Sequence, residues 1–395
     1  MKQLKIKALG PIKEADISFG DLTLFVGPQA SGKSILLQLI KLIMDRYNIP
    51  AILKQNNYEW GKKTEGLLDS FFGESMSAIW NENTQIYFDE KEYKQATFLP
   101  KQGTRESSKT EKLFYIPAQR VVSMSQGWPR NFGSFDIGDP FVLKQFSETV
   151  RVLMEKEITT TGSKQSKVFP KPNRIKEPLR KIIDDAIFHG AKVESDNTSL
   201  KRRFLLEVGS SKLPFMTWSA GQKEFMPLLL SLYHLMPSSK VKMKDDIQVV
   251  IIEEPEMGLH PNAIQALMVV FFELMARGYK LIISTHSPVL LELLWAMNYI
   301  QKYNGKATDL FELFSQKDNA SNNSIREIFE IAIAKKTFST YFFQQNKEGV
   351  IIKNISSLDA GSEDEAIANW GGLTNFASKA GDIVSKLVAA NEQTK

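Results

Sequence analysis

Gly27-Pro28-Gln29-Ala30-Ser31-Gly32-Lys33-Ser34 fits the pattern G-x-x-x-x-G-K-[ST] and lies between an apolar run, Leu22 to Val26, and a helix-like run, Ile35 to Met44. This context calls for a buried strand, a tight glycine-bearing loop and a helix that opens on it. Backbone N–H groups of such a loop wrap a phosphate chain, and the helix N-terminus adds partial positive charge. Lys33 has the reach for β and γ phosphates, and Ser34 has a hydroxyl for Mg²⁺. The expected ligand is a nucleoside triphosphate.

The first residues read as three short strands, Leu4 to Ala8, Ala15 to Phe19 and Leu22 to Val26, broken at Gly10-Pro11 and Gly20-Asp21. A helix over Ile35 to Tyr47 is expected to stop near Pro50. From Ile52 to Glu111 the pattern loosens into aromatic, polar and short alternating pieces, which suggests an inserted lobe over 51–112. The apolar run Leu113 to Ile116 leads to Gln119, and loop-like and helical pieces fill 123–202 as a second, mostly helical lobe. After Arg203, Gln248 to Ile252 and Lys280 to Ser284 read as strands buried on both faces. They alternate with helices over Gln222 to Met236, Pro261 to Arg277 and Pro288 to Met297, which indicates a parallel sheet. Residues 1–50 and 203–300 thus form one core, and 301–395 form an extension with helical pieces and a hairpin over Tyr341 to Ile355. The fold class is α/β, a mixed sheet carrying the phosphate loop.

In Val249-Val250-Ile251-Ile252-Glu253-Glu254-Pro255-Glu256, four apolar residues end in paired carboxylates. Ligands of parallel sheets bind beyond the carboxyl ends of strands, where these acids emerge. Glu253 is assigned to the Mg²⁺ shell and Glu254 to polarising the attacking water. Ser219-Ala220-Gly221-Gln222-Lys223 precedes a helix and suits an anion at its N-terminus, although the same residues serve as an ordinary cap. His286 ends a buried strand and can contact a γ-phosphate or a water, or simply satisfy the loop around it. Gln119 offers an amide to the Mg²⁺ or water shell.

Composition excludes several alternatives. With no cysteine among 395 residues there are no disulfides, thiolate metal sites or cysteine nucleophiles. The apolar stretch Phe225 to Pro237 is broken by Pro227 and His234 and falls short of the ~20 residues of a membrane helix. The N-terminus lacks the zones of a secretory signal, so the expected setting is the cytoplasm, with no membrane. A net charge of +5 permits nucleic-acid binding without announcing it. The basic runs that include Lys164, Lys167, Lys171, Arg174, Lys176, Arg180 and Lys181, then Lys201-Arg202-Arg203, then Lys240, Lys242 and Lys244, are either solvated faces or phosphate contacts.

Taken in order, GPQASGKS, Gln119, SAGQK, VVIIEEPEMGLHP and STHSP resemble the motif set of ABC-type AAA ATPases, in the soluble branch of RecF-, SMC- and OLD-like proteins. The resemblance covers roughly residues 1–50, 113–122 and 203–300. It implies that Gly27 to Ser34 is the Walker A loop, Gln119 the Q-loop residue and Ser219 to Lys223 the signature motif. By the same resemblance Glu253 and Glu254 are the Walker B magnesium and catalytic acids, Gly258 to Pro261 the D-loop region and His286 the switch histidine. Lys33, Glu254 and His286 would carry ATP hydrolysis. ATP and Mg²⁺ are the implied cofactors, and a head-to-tail dimer is implied in which Ser219, Gly221 and Gln222 of one copy close over the nucleotide of the other. Glu253 replaces the usual Walker B aspartate, and Ala220 the usual second signature glycine.

The wording Glu-Glu-Pro-Glu and Leu-His-Pro is similar to that of OLD-like proteins, yet no D-x-D motif of an OLD-type nuclease follows residue 300. That points to a separate effector, a nuclease or toxin, as in the two-component anti-phage defence systems PARIS and Septu, with a nucleic acid or phage protein as trigger. The alternatives are a DNA repair or chromosome-maintenance ATPase of RecF/SMC type and the ATPase subunit of a membrane transporter. The 32 residues from Gly221 to Glu253 and the 86 from Lys33 to Gln119 are longer than a compact transporter cassette is expected to show.

Overall fold

The computed structural model describes residues 1–392 apart from 62, 100–109, 160–164, 198–201, 238–242 and 245. Strands β1 (Gln3–Leu9), β2 (Ile12–Ser18) and β3 (Leu22–Val26) lead into helix α1 (Lys33–Met44), followed by α2 (Asn48–Gln55) and α3 (Thr64–Phe72). Pro50 does not end the first helix. It occupies the first turn of α2, where its missing N–H leaves no bond unmade, and the break comes earlier at Asp45. Then come β4 (Trp80–Phe88), β5 (Lys91–Glu92), β6 (Leu113–Ile116) and the two-residue strands β7 (Met124–Ser125) and β8 (Trp128–Pro129). Next are α4 (Phe141–Leu153), β9 (Gln165–Phe169), α5 (Glu177–Ile183), β10 (Lys192–Asp196), β11 (Arg203–Val208) and β12 (Ser211–Pro214). The chain continues through α6 (Ala220–Leu235), β13 (Val249–Glu253), α7 (Pro261–Arg277), β14 (Lys280–Thr285) and α8 (Pro288–Lys302). It finishes with α9 (Ala307–Leu313), α10 (Asn323–Lys335), β15 (Phe338–Asn346), β16 (Gly349–Asn354), α11 (Glu365–Ala368) and α12 (Asn375–Glu392).

Among the described residues, ten strands form one mixed sheet in the order β5-β4-β1-β2-β16-β15-β3-β14-β13-β6. Its phosphate-loop half is parallel: β3 pairs with β14, β14 with β13 and β13 with β6. Period-two alternation sends neighbouring side chains of these strands to opposite cores. Leu24, Val250, Ile252, Leu281, Ile283, Phe114 and Ile116 face one core, which also contains the buried sides of α6, α7 and α8. Phe25, Ile251, Ile282 and Tyr115 face the other, filled by Leu36, Leu39 and Ile40 of α1 and by β1 and β2. Burial on both faces is why these strands read as unbroken apolar runs.

Two segments contribute more to the sheet than their sequences suggest. β4 and β5, within 51–112, extend it by antiparallel pairing of β4 with β1. The C-terminal hairpin of β15 and β16 is inserted inside the sheet, β15 parallel to β3 and β16 parallel to β2. Within 123–202, α4 and α5 each continue into a π-helical turn, and β9 and β10 join β11 and β12 in a separate antiparallel sheet. β9 lies within the 123–202 region read above as loop-like and helical pieces, where buried Val168 and Phe169 hold it. Leu213 to Trp218 is a strand only to Pro214 and then a 3-10 turn.

Candidate nucleotide site

Four adjacent parallel strands end at one edge, so their following loops meet. β3 delivers the Gly27–Ser34 loop, β14 delivers His286, β13 delivers Glu253 and Glu254, and β6 delivers Pro117 to Gln119. The loop itself needs its glycines. Gly27 and Gly32 have φ of 152° and 90°, and a Cβ on either would lie 2.8 Å from Cβ of Phe343 or 2.9 Å from Cγ of Pro11. Ala30 also adopts a left-handed φ of 57°. Ser31 Oγ donates to the Pro28 carbonyl at 2.8 Å. Lys33 is buried, and its ammonium donates to the carbonyls of Gly27 and Pro28 at 2.8 Å each. Burial lowers its pKa from the ordinary lysine value, against the upward pull of Glu254, Glu253 and Glu256.

Glu253 is buried at the end of β13, and its Oε2 accepts from the Ala118 N–H at 3.3 Å. Its Oε1 is buried without a hydrogen-bond partner among the described residues. Burial raises its pKa, while the nearby Ser34 hydroxyl, the Ala118 N–H and the Tyr115 hydroxyl lower it. An unpaired buried carboxylate oxygen next to a hydroxyl fits a divalent cation that takes its remaining ligands from phosphate and water. Among the described residues no cluster of three or more His, Cys, Asp or Glu could hold a metal ion. Gln119 is exposed at the turn next to Ala118.

Glu254 is one-third exposed and lies 3.5 Å from Nε2 of His286, itself one-third exposed. Its backbone is left-handed, φ 43°, with its N–H bonded to the Ser284 carbonyl at 2.9 Å. Such strain in a non-glycine residue persists only where its surroundings enforce it. The enforcing group is Arg120, which is fully buried. Its NH1 donates to the Glu253 carbonyl at 3.1 Å and to the Glu254 carbonyl at 3.4 Å, NH2 donates to Glu254 at 3.3 Å, and Nε donates to the Glu224 carbonyl of α6 at 3.1 Å. One guanidinium therefore joins the β6 turn, the paired acids and the helix that begins with the Ser219 motif.

Ser219 caps α6 reciprocally. Its Oγ accepts from the Gln222 N–H and its own N–H donates to Gln222 Oε1, each at 3.3 Å, and Gln222 Nε2 reaches the Ile187 carbonyl. Gly221 abuts the following loop of β13: a Cβ there would lie 2.7 Å from the Gly258 carbonyl oxygen. Ser219, Gly221 and Gln222 thus sit with Gly258 and keep their hydrogen bonds within their own turn and the Ile187 region.

Sequence reasoning did not single out Arg120, Glu256 or Phe343. Oε1 of Glu256 accepts from Thr285 Oγ1 and from the His286 N–H, both at 2.7 Å, and so holds the histidine loop. The third carboxylate of Glu-Glu-Pro-Glu was the available signal. Nothing local marks Phe343 as the residue that packs against Gly27.

Of the basic runs, the described members are largely engaged internally. Arg174 pairs with Glu157, Lys176 with Glu273, Arg202 with Glu155 and Arg203 with Asp196, while Lys171 bonds the Ile158 carbonyl. Lys164, Lys201, Lys240 and Lys242 lie outside the described residues. No described helix is long and apolar enough to cross a membrane.

Residues 128–292 match the family model described as "AAA domain, putative AbiEii toxin, Type IV TA system". The match starts after the phosphate loop and includes Ser219, the paired acids and His286. No curated protein matches the chain. Among solved structures it is similar to an SMC head domain from Thermotoga maritima, at 12% identity and TM-score 0.38 over 89% of this chain and 98% of that one. It is also similar to an Smc head domain bound to the C-terminal domain of ScpA derived from Pyrococcus furiosus, at 9% identity and TM-score 0.41 over 89% and 95%. A bacterial Atm1-family ABC exporter with ATP bound shows 9% identity and TM-score 0.32 over 72% and 34%. The family match thus covers the second half of the site, which the sheet joins to the phosphate-loop strand through the pairing of β14 with β3.

Proposed function

We propose that this chain binds ATP with Mg²⁺ and hydrolyses it, using Glu254 to orient the attacking water and His286 to sense the γ-phosphate. The observation that carries the reading is the meeting of Lys33, Ser34, Glu253, Glu254 and His286 at the ends of neighbouring strands, with Glu254 and His286 3.5 Å apart. Ser34 and Glu253, with Gln119 at the adjoining turn, would hold Mg²⁺, which when bound neutralises phosphate charge. Lys33 and the loop amides position the β and γ phosphates, and Glu254 accepts a proton from water. Ser219, Gly221 and Gln222 would serve the nucleotide of a second copy, since in their own chain they cap α6 and contact Gly258. Glu254→Gln should retain ATP binding, lose turnover by about 10²-fold or more, and accumulate an ATP-dependent dimer. Rapid turnover by that variant would refute the assignment.

The role in the cell that we favour is a sensor or scaffold of anti-phage defence working with a separate nuclease or toxin, in the cytoplasm. The toxin–antitoxin wording of the matched family supports it. Cells that express the chain with its neighbouring gene should resist phage, and Lys33→Ala should abolish the resistance. Undiminished resistance with Lys33→Ala would separate defence from nucleotide binding and sink this reading.

A further inference from the structure

The hairpin of β7 and β8, the turn that follows it and helix α4 border an open cleft of about 820 Å³. Three guanidiniums line it, those of Arg130, Arg151 and Arg202, against one carboxylate, Glu155. Its walls are fixed. The hairpin tip leaves no room for a Cβ between Gly127 and Phe215. The Arg130 N–H donates to the Ser123 carbonyl at 2.8 Å, and Ser147 Oγ donates to the carbonyls of Ser123 and Arg130 at 3.0 and 2.7 Å. The arginines also keep donors to spare, since each carries about five N–H groups in a planar fork. Arg151 commits its Nε and Nη2 to Glu148 and its Nη1 to Glu155, while Arg202 commits only Nη1, to Glu155. Arg130 bonds Ser134 through Nε and Nη2 and has no carboxylate partner among the described residues. The Arg202 side chain is 54% exposed and lies over the Trp128 ring, Cζ 5.8 Å from its centroid, which holds it out as a flat cationic surface. Exposed Gln126 and Asn131 put side-chain amides at the rim.

We propose that this cleft binds a short unpaired stretch of a nucleic-acid strand, with phosphates on Arg130 and Arg151 and a base on the plane of Arg202. Planar forks grip phosphates bidentately, and unpaired bases stack on guanidinium planes while their edges bond side-chain amides. A duplex fits less well because its base faces are hidden and its backbone is gripped through about 6–10 phosphate contacts. No basic track of that kind leaves the cleft along the adjoining β9–β12 sheet, where Lys192, Arg203 and Lys212 are each paired with an acid. An acidic peptide has carboxylates for the forks but no flat face for Arg202. The cleft also adjoins both halves of the nucleotide site: Ser123 ends the turn that starts at Arg120, and Phe215 starts the turn that leads into Ser219. That place suits the trigger of the sensor proposed above. This consequence rests on that reading, whereas the binding does not.

The test is fluorescence anisotropy of the full chain, in EDTA without ATP, with a labelled strand of about 12 nucleotides of mixed sequence, as DNA and as RNA. Three phosphate contacts at a slope of about −0.7 each predict an affinity that falls about 20-fold between about 50 and 200 mM salt. Arg130→Ala combined with Arg202→Ala should lose about 25-fold in affinity at about 100 mM salt and keep only about a threefold fall over the same range. Lysine at both positions should restore the salt dependence but not the affinity, since an ammonium offers neither fork nor plane. Lys33→Ala should bind the strand as wild type does, because the phosphate loop takes no part. Binding of either strand supports the proposal, the tighter one naming the sugar. No binding by wild type, affinity indifferent to salt or to the two alanines, or a duplex or a glutamate-rich peptide bound as tightly as the strand would each overturn it. Absence of ATP turnover in a chain that still binds the strand would instead count against the nucleotide site alone.

Discussion

Replacing Arg120 should separate positioning from binding at the nucleotide site. The side chain is fully buried and donates to the carbonyls of Glu253, Glu254 and Glu224, with the Glu224 carboxylate 3.9 Å from Nε. Arg120→Met leaves those acceptors and the half-buried Glu224 without their cation. Loss of one partner from a buried charged network costs about 3–5 kcal/mol. With an unfolding entropy of about 2.1 cal/mol/K per residue, a 395-residue chain should then lose about 4–6 °C in Tm. The kinetic effect should exceed what this instability explains. Freed of the guanidinium, the left-handed backbone of Glu254 relaxes, and displacement of a catalytic group by about 1 Å costs about 10²-fold in rate. Arg120→Lys keeps the charge but lacks the fork that spans β13 and α6, so it should recover much of the Tm and little of kcat. The assay is steady-state phosphate release at saturating Mg-ATP, paired with equilibrium binding of a fluorescent ATP analogue and a thermal melt. Affinity should change less than threefold. Wild-type kcat in Arg120→Lys, or a fall in kcat matched by an equal fall in ATP affinity, would show that Arg120 does not set the Glu254 geometry.

Other residues give independent tests. Gly221→Ala places a methyl 2.7 Å from the Gly258 carbonyl, so it should cost about 1–3 kcal/mol by thermal melt and weaken ATP-dependent dimerisation, leaving ATP binding by the single chain intact. Glu256→Gln keeps shape but weakens the acceptor of the Thr285 hydroxyl and the His286 N–H; kcat should fall about tenfold, and Glu256→Ala should fall further. Lys144, buried against Tyr58 and the carbonyls of Asp136 and Ile137, has its pKa pulled down to about 8 by burial. Because the unfolded chain holds that proton up to the ordinary lysine value near 10.5, stability should rise as pH goes from about 8 to 10, by on the order of 2 kcal/mol. Melts of wild type and Lys144→Met across that range should differ in slope, and equal slopes would refute the lowered value.

Most of the parallel core was legible because its strands obey local rules. Leu22–Val26 is bounded by Gly20-Asp21 and by the phosphate loop, and Pro261–Arg277 starts on a proline and stops at Gly278, so their limits are written in the sequence. The acids of β13 were legible as a pair, since an apolar strand that ends in two carboxylates has few structural uses. Arg120 was not, because its value comes from carbonyls on β13 and α6, over a hundred residues away in sequence, and a carbonyl carries no sequence signature. Trp80 to Phe88 was legible only as short alternating pieces, because its first half is polar and largely exposed and its pairing with β1 leaves no signature in the sequence.

The largest gap concerns the C-terminal extension, and it changes how the site is understood. The β15–β16 hairpin was recognisable, but no pattern says that its aromatic residues lie beside the phosphate-loop strand. Phe342 is in register with Val26, and Phe343 closes on Gly27 so tightly that no side chain fits between them. On the other side of the same strand, Phe342 packs against Gly371, where a Cβ would lie 2.5 Å from its ring, and the neighbouring Trp370 donates from Nε1 to the Leu358 carbonyl and contacts the ring of Trp295. Three residues beyond Gly372, α12 begins. A short series of close contacts thus runs from the phosphate loop through β15 to the turn that precedes α12. Tight packing transmits displacement rather than absorbing it. A displacement of Gly27 would therefore bear on Phe343 and, through its neighbour Phe342, on the turn at Gly371.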